Sequence, residues 1–120
     1  MPEHEKIDYL ELPAKDIAAS KKFFQQAFNW EFEDYGPDYC AFSNAGINGG
    51  FYKADLTAET ASGSALIVFY SDNLEQTQSK ITDAGGIITR PIFSFPGGRR
   101  FHFKEPGGNE FAVWGEPEEA

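Results

Sequence analysis

The chain has 120 residues, 41% of them hydrophobic, and this is the size and composition of one domain with its own core. The net charge of −9 disfavours nucleic-acid binding, because phosphate contacts need clustered lysine and arginine. Cys40 is the only cysteine, so an intramolecular disulfide is excluded. No signal peptide and no membrane-spanning run is visible, so we expect a cytoplasmic protein without a membrane partner.

The first half of the chain predicts a strand, a helix and three more strands. An alternating run from Ile7 to Leu12, ended by Pro13, is typical of a strand. Asp16 is a good N-cap for a helix that ends near Phe28–Asn29. Short alternating segments separated by glycine-rich turns predict the remaining strands, at residues 30–33, 39–42 and 49–52.

The second half repeats this order after a mostly polar segment, residues 54–64, which we interpret as a linker. The run from Ala65 to Tyr70 has no polar residue before Tyr70 and predicts a central strand. Asn73 caps a second helix, which ends at Gly85–Gly86. The following strands are predicted at residues 87–90, with an irregular extension over 91–95, and at residues 99–103 and 110–114.

A shift of about 57 positions carries Asp16–Ile17 onto Asn73–Leu74, as expected of an internal repeat. The repeat predicts an α+β fold of two tandem βαβββ modules with one main helix each. We expect them to form a cupped, pseudo-two-fold mixed sheet around a shared cavity. The single domain then consists of a first module over residues 5–53, the linker over 54–64 and a second module over 65–115.

The segments that carry a family resemblance lie in both halves. They are ELPAKD (11–16), Phe23–Phe24 and FNW (28–30) in the first half, and TDAGG (82–86), GRRF (98–101) and EPGGNEF (105–111) in the second. In order and spacing the chain resembles the vicinal oxygen chelate superfamily, which includes glyoxalase I, bleomycin-resistance proteins and extradiol dioxygenases. The resemblance runs from Ile7 to Trp114. It implies paired βαβββ modules, a homodimer and a ligand bound in a sheet-lined cavity.

Metal-dependent members of that superfamily place a histidine or glutamate on each of four strands that face the cavity. The resemblance puts the first position at Tyr9, the third at Leu66 and the last at Ala112, while the second lies within residues 49–51. Such side chains do not form a usual metal site. We therefore expect no metal and no cofactor, and neither glyoxalase I nor iron-dependent dioxygenase activity. A register error of one residue would weaken this expectation, because the carboxylates Glu11 and Glu110 lie nearby on the same strands.

Several residues are candidates for the site, each with a simpler structural interpretation. Glu11 shares a strand face with Tyr9 and is either a partly exposed surface residue or a carboxylate for proton transfer or cation binding. His102 shares a face with Arg100 and is either solvated or an acid–base group, with Arg100 binding a carboxylate. Trp114 either closes the core or borders the pocket with Glu110. The predicted ligand-binding residues are Tyr9, Glu11, Phe42, Phe51, Leu66, Arg100, His102, Glu110 and Trp114, and the catalytic candidates are Glu11 and His102.

These observations favour a protein that binds a small aromatic or cationic organic molecule in an aromatic, metal-free cavity, as the bleomycin-resistance branch does. A metal-dependent lyase, isomerase or dioxygenase with differently placed ligands is one alternative. A metal-independent enzyme that uses Glu11 or His102 as acid or base is another. A module that serves a larger assembly is a third.

Overall fold

A computed structural model describes residues 2–118. The first half contains β1 (Tyr9–Ala14), α1 (Ile17–Phe28), β2 (Glu31–Asp34), β3 (Tyr39–Ser43) and β4 (Asn48–Lys53). A short 3-10 helix, Thr60–Ser62, precedes the second half, which contains β5 (Ile67–Tyr70), α2 (Leu74–Asp83), β6 (Ile87–Phe95), β7 (Gly98–Lys104) and β8 (Glu110–Gly115). The identical order of elements confirms the α+β fold of two repeated βαβββ modules.

Both helices begin at the predicted caps. The Asp16 carboxylate accepts a hydrogen bond from the Ala19 N–H at 3.2 Å, and the Asn73 side-chain oxygen accepts one from the Gln76 N–H at 3.1 Å. Helix α1 ends at Phe28, and its C-cap residue Asn29 adopts a left-handed conformation with φ of 61°. Each cap satisfies backbone groups that a helix end leaves without an internal partner.

The strands form two four-stranded sheets, ordered β1-β4-β3-β2 and β5-β8-β7-β6. Strands β1 and β5 are therefore edge strands, and the prediction that residues 65–70 form a central strand is wrong. The apolar run is explained by burial on one side only. Ile67 and Phe69 pack against the core, while Val68 and Tyr70 are 42% and 54% exposed.

Several strand bounds differ from the predictions, and two of the differences have a clear structural basis. Strand β1 begins at Tyr9 rather than Ile7 and continues through Pro13. Proline is tolerated there because β1 is an edge strand, and the Pro13 carbonyl accepts a hydrogen bond from the buried Asn109 side chain at 2.8 Å. The predicted irregular extension, residues 91–95, belongs to β6, whose pairing with β7 shifts register after Ile88 and again after Arg90.

The core is built mainly from aromatic rings between the helices and one face of each sheet. The α1 residues Phe23 and Phe24 contact Phe103 and Phe111 of the second sheet, with ring centroids 5.9 Å and 5.4 Å apart. Helix α1 therefore packs against both modules. The opposite sheet faces, which we call the first and second open faces, carry most of the polar candidates. No helix within residues 2–118 is long and apolar enough to cross a membrane.

Candidate functional site

The first open face belongs to the sheet of the first module. Because Leu12 of β1, Phe42 of β3 and Phe51 of β4 point into the core, the alternate residues of these strands point away from it. The residues on this face include Tyr9, Glu11, Tyr39, Ala41, Gly50 and Tyr52.

A hydrogen-bonded chain joins three of these side chains. The Tyr39 hydroxyl donates to the Glu11 carboxylate at 2.9 Å, and the Tyr9 and Tyr39 hydroxyls lie 2.6 Å apart. Since the single proton of Tyr39 goes to Glu11, the Tyr9 hydroxyl donates to Tyr39. Burial, together with the hydrogen bonds to Tyr9 and Glu11, raises the pKa of Tyr39 above its usual value, so this phenol stays a proton donor at neutral pH.

Gly50 makes room for Tyr39. A Cβ at position 50 would collide with the Tyr39 hydroxyl, so the tyrosine occupies the space above this part of β4. The sequence pattern did not single out Tyr39. The signal that would have found it is its alternation with the core residues Cys40 and Phe42, which places it on the open side of β3.

The second open face belongs to the sheet of the second module. The strand register places Arg90, His102 and Ala112 in one row across β6, β7 and β8, and Phe93, Arg100 and Trp114 in the next. Phe101 and Phe103, which alternate with these β7 residues, are fully buried in the core.

His102 and Glu110 form the charged centre of this face. The His102 Nδ1 lies 3.6 Å from Glu110 Oε2, and Glu110 Oε1 accepts hydrogen bonds from the Thr60 N–H at 2.7 Å and the Thr60 hydroxyl at 2.9 Å. Burial, followed by the charge of Arg100, lowers the pKa of His102 below its usual value. The Thr60 N–H is the main cause that lowers the pKa of Glu110. At neutral pH the pair is therefore a neutral imidazole beside an ionised carboxylate.

The segment interpreted as a linker covers one end of this face. Glu59 forms an ion pair with Lys104, and Thr60 binds Glu110 as described. Thr89, Arg90 and His102 line a cleft of about 420 Å³ together with this segment. The segment over residues 54–64 therefore helps to line this cleft as well as joining β4 to β5.

The structure separates the predicted ligand-binding residues into groups. Tyr9 and Glu11 lie together on the first open face, whereas Arg100, His102, Glu110 and Trp114 lie on the second. Phe51 is fully buried among core rings, because it alternates with the open-face residues of β4. Leu66 is half-buried and directly precedes β5. Ala112 is also fully buried.

Phe42 lies in the wall of a separate aromatic cleft of about 410 Å³, where the edges of the two sheets approach each other. Trp30, Phe69 and Tyr70 contribute further rings to this cleft. No ionisable carboxylate or basic side chain is among its lining residues, which lie on β1, the β3–β4 turn, β5 and the adjacent core. The cleft is thus suited to a flat apolar group.

Comparison with known proteins places the chain in a family. The family model of the glyoxalase/bleomycin resistance protein/dioxygenase superfamily matches residues 6–113. The chain belongs to this superfamily. No curated protein sequence matches the chain.

Solved structures share the fold at low sequence identity. A fosfomycin resistance protein from Listeria monocytogenes is 18% identical, with 92% of this chain and 93% of that one covered and a TM-score of 0.76. A glyoxalase-related enzyme from Fulvimarina pelagi is also 18% identical, with coverages of 93% and 88% and a TM-score of 0.74. A lactoylglutathione lyase from Agrobacterium tumefaciens is 15% identical, with coverages of 92% and 93% and a TM-score of 0.70.

The side chains at the superfamily's metal-ligand positions do not fit a metal ion. On β4 the open face presents Gly50 rather than Gly49 or Phe51, and the Tyr39 hydroxyl already fills the space beside it. The Tyr9 hydroxyl is engaged as a donor to Tyr39. Within residues 2–118, no group of three or more histidine, cysteine, aspartate or glutamate side chains is placed to hold a metal ion. Glu11 and Glu110 lie on different sheets.

Proposed function

We propose that this superfamily member binds a small aromatic organic molecule, without a metal ion, in the cleft between β1 and β5. The observation that carries the proposal is the cleft of about 410 Å³ walled by Trp30, Phe42, Phe69 and Tyr70. Its volume lies in the range of about 300–1,000 Å³ that is usual for small-molecule sites. Aromatic walls favour a flat ring through stacking and through removal of apolar surface from water. They support the aromatic class of ligand expected from the sequence more directly than the cationic class.

A cavity-filling substitution tests this proposal. Ala45 lines the cleft and is half-buried, so Ala45→Leu should place three extra carbons in the space that a ligand ring needs. Benzamide is a suitable neutral aromatic probe, and its binding can be followed by NMR through the shifts of backbone amides around Trp30 and Phe69. We expect Ala45→Leu to weaken binding by about tenfold or more, because overpacking leaves no room for the ring.

Ala18→Leu is the matched control, since Ala18 is exposed on α1 and the same side chain is added away from the cleft. It should leave benzamide affinity unchanged. Equal affinity in Ala45→Leu and the unmodified protein, or probe shifts confined to other regions, would show that the cleft does not hold the ligand.

The His102–Glu110 contact favours a second candidate, a metal-independent enzyme with His102 as general base. A neutral imidazole held by a carboxylate can accept a proton on its other nitrogen. NMR titration of His102 should give a pKa below the ordinary value of 6.5, and Glu110→Gln should lower that pKa further, since Glu110 favours the charged imidazole. A His102 pKa above 6.5 would contradict this candidate, because His102 would then be a charged ion-pair partner of Glu110 and not a general base.

We also propose a homodimer. The open faces expose rings and apolar side chains, including Tyr9, Tyr35, Val68 and Tyr70, that a second copy is suited to cover. Light scattering on the protein as it elutes from a size-exclusion column should give twice the mass of the chain. A monomer at micromolar concentration would contradict the proposal. The cytoplasmic location stays a prediction.

A further inference from the structure

The outer half of the second open face holds two arginines beside one aromatic ring. The Arg90 guanidinium carbon lies 3.7 Å from the Phe93 ring centroid, and that of Arg100 lies 5.4 Å from the same centroid. The strand register pairs Phe93 with Arg100 and Arg90 with His102, so all four side chains share a face. Phe93 therefore orients both guanidinium groups through cation–π contacts.

These two arginines differ from the basic residues Arg99 and Lys104 of β7 in their ion pairing. Arg99 forms an ion pair with Glu75, and Lys104 forms one with Glu59. Neither Arg90 nor Arg100 forms a salt bridge with any residue in the range 2–118. Acidic residues outnumber basic ones by 19 to 10 in this chain, so a shortage of carboxylates does not explain why these two arginines lack ion pairs within the described residues. Two neighbouring positive charges repel each other, and a bound anion would remove that cost.

Unsatisfied polar atoms lie at the same place. The Nε of Arg100 and the Nε2 of His102 are buried and have no hydrogen-bond partner within the described part of the chain. Buried polar groups without partners are uncommon, because each loses its hydrogen bonds to water. Arg90 and His102 also line the cleft of about 420 Å³, together with Lys104 and the carboxylates Glu59 and Glu110, while Arg100 lies in the next row of the sheet.

We propose that Arg90 and Arg100, with His102 beside them, bind the carboxylate group of a small organic acid. A guanidinium group presents two parallel N–H donors, which match the two oxygens of a carboxylate. The two arginines supply the donors, because the neutral imidazole of His102 directs its single N–H, on Nδ1, towards Glu110 and has none on Nε2. This site lies on the second open face, away from the aromatic cleft between β1 and β5, and so adds an anion-binding function to the proposed aromatic one.

Three probes with the same ring and different charge test the proposal: benzoate, benzamide and benzylamine. Binding is measured by NMR titration at low salt, with the amides of residues 89–102 as reporters. Benzoate should shift these amides at concentrations below about 20 mM, as expected of a small anion held by two arginines with roughly millimolar Kd. Benzamide and benzylamine should bind there at least about tenfold more weakly, because they lack the negative charge.

Variants separate the arginines from general charge effects. Arg90→Gln and Arg100→Gln should each weaken benzoate binding about tenfold, and Arg100→Lys, which keeps the charge and loses the fork, about threefold. Lys22→Gln, an exposed change of the same charge on α1, should change the affinity less than about twofold. Arg90 is exposed, so its variant keeps the site testable if Arg100→Gln fails to fold.

The proposal is overturned if benzoate does not shift residues 89–102 within that concentration range, or if both glutamine variants bind it as tightly as the unmodified protein. Stronger binding of benzylamine than of benzoate at this face would also overturn it. Loss of benzamide binding in Ala45→Leu with unchanged benzoate binding would show that the two sites are separate, as proposed.

Discussion

Two carboxylates, Glu105 and Glu11, both accept hydrogen bonds from hydroxyl groups but lie in opposite environments. Glu105 is 2% exposed and accepts from the Ser20 hydroxyl, the Asn109 side chain and the Gly107 N–H. Glu11 is exposed and accepts from Tyr39. The buried carboxylate uses its acceptor positions within the protein, whereas the exposed one leaves positions available to water or a ligand. We expect the first to determine stability and the second to matter little for it.

The surroundings of Glu105 explain its importance. Its partner Ser20 lies on α1, and its partner Asn109 also donates to the Pro13 carbonyl and accepts from the Ala58 N–H. The turn between β7 and β8 is thereby joined to the first module and to the segment between the modules. This buried cluster holds the two halves together.

The largest expected effect follows from removing Asn109. Asn109 is fully buried, and Asn109→Ala leaves the Pro13 carbonyl, the Ala58 N–H and the Glu105 carboxyl without one partner each. We expect a loss of about 3–5 kcal/mol in the free energy of unfolding, measured by urea denaturation. Asn48→Ala, at an exposed position on β4, should cost less than about 0.5 kcal/mol. Similar losses in the two variants would contradict a structural role for the cluster.

A smaller effect is expected in the pH dependence of stability. Burial raises the pKa of Glu105 above its ordinary value of 4.5, so the folded chain keeps a proton that the unfolded chain releases. The resulting stabilisation is fully present below pH 4.5 and is lost as the pH rises through the folded-state pKa. Compared with Glu105→Gln, which does not titrate, the unmodified protein should lose stability over that range. If the stability of the unmodified protein relative to Glu105→Gln stays constant or increases as the pH rises, the raised pKa of Glu105 is refuted.

The smallest effect is expected on the first open face. Tyr39→Phe removes the hydrogen bond to Glu11, but water can replace it because Glu11 is exposed. The loss in unfolding free energy should be about 0.5–1 kcal/mol, which urea denaturation can resolve. A loss as large as that of Asn109→Ala would remove the distinction between the two carboxylates.

The fold was largely predictable because its signals are local. Asp16 and Asn73 cap the helices by bonds to residues three positions away, and the apolar stripes of α1 and α2 require only helical periodicity. Strand alternation correctly placed Tyr9 with Glu11, and Arg100 with His102. These features depend on spacing along the chain and not on what the folded chain packs against.

The candidate site was less predictable because its contacts join distant segments. Tyr39 reaches Glu11 from another strand, and the Arg90–Phe93 pair lies in a bulged region of β6 that had no regular pattern. Glu105 and Asn109 lie next to a glycine turn, and only the packing of that turn against α1 and β1 shows their structural role.

The repeated βαβββ order, the helix caps and the alternation of each strand follow from the sequence itself, since each depends on residues that are close along the chain. The tertiary structure decided that β5 lies at a sheet edge, that Phe51 is in the core and that Glu11 and His102 belong to different faces. The physical reason is that burial and hydrogen bonding depend on which segments meet in space, and two sheets offer several ways to bury the same apolar residues.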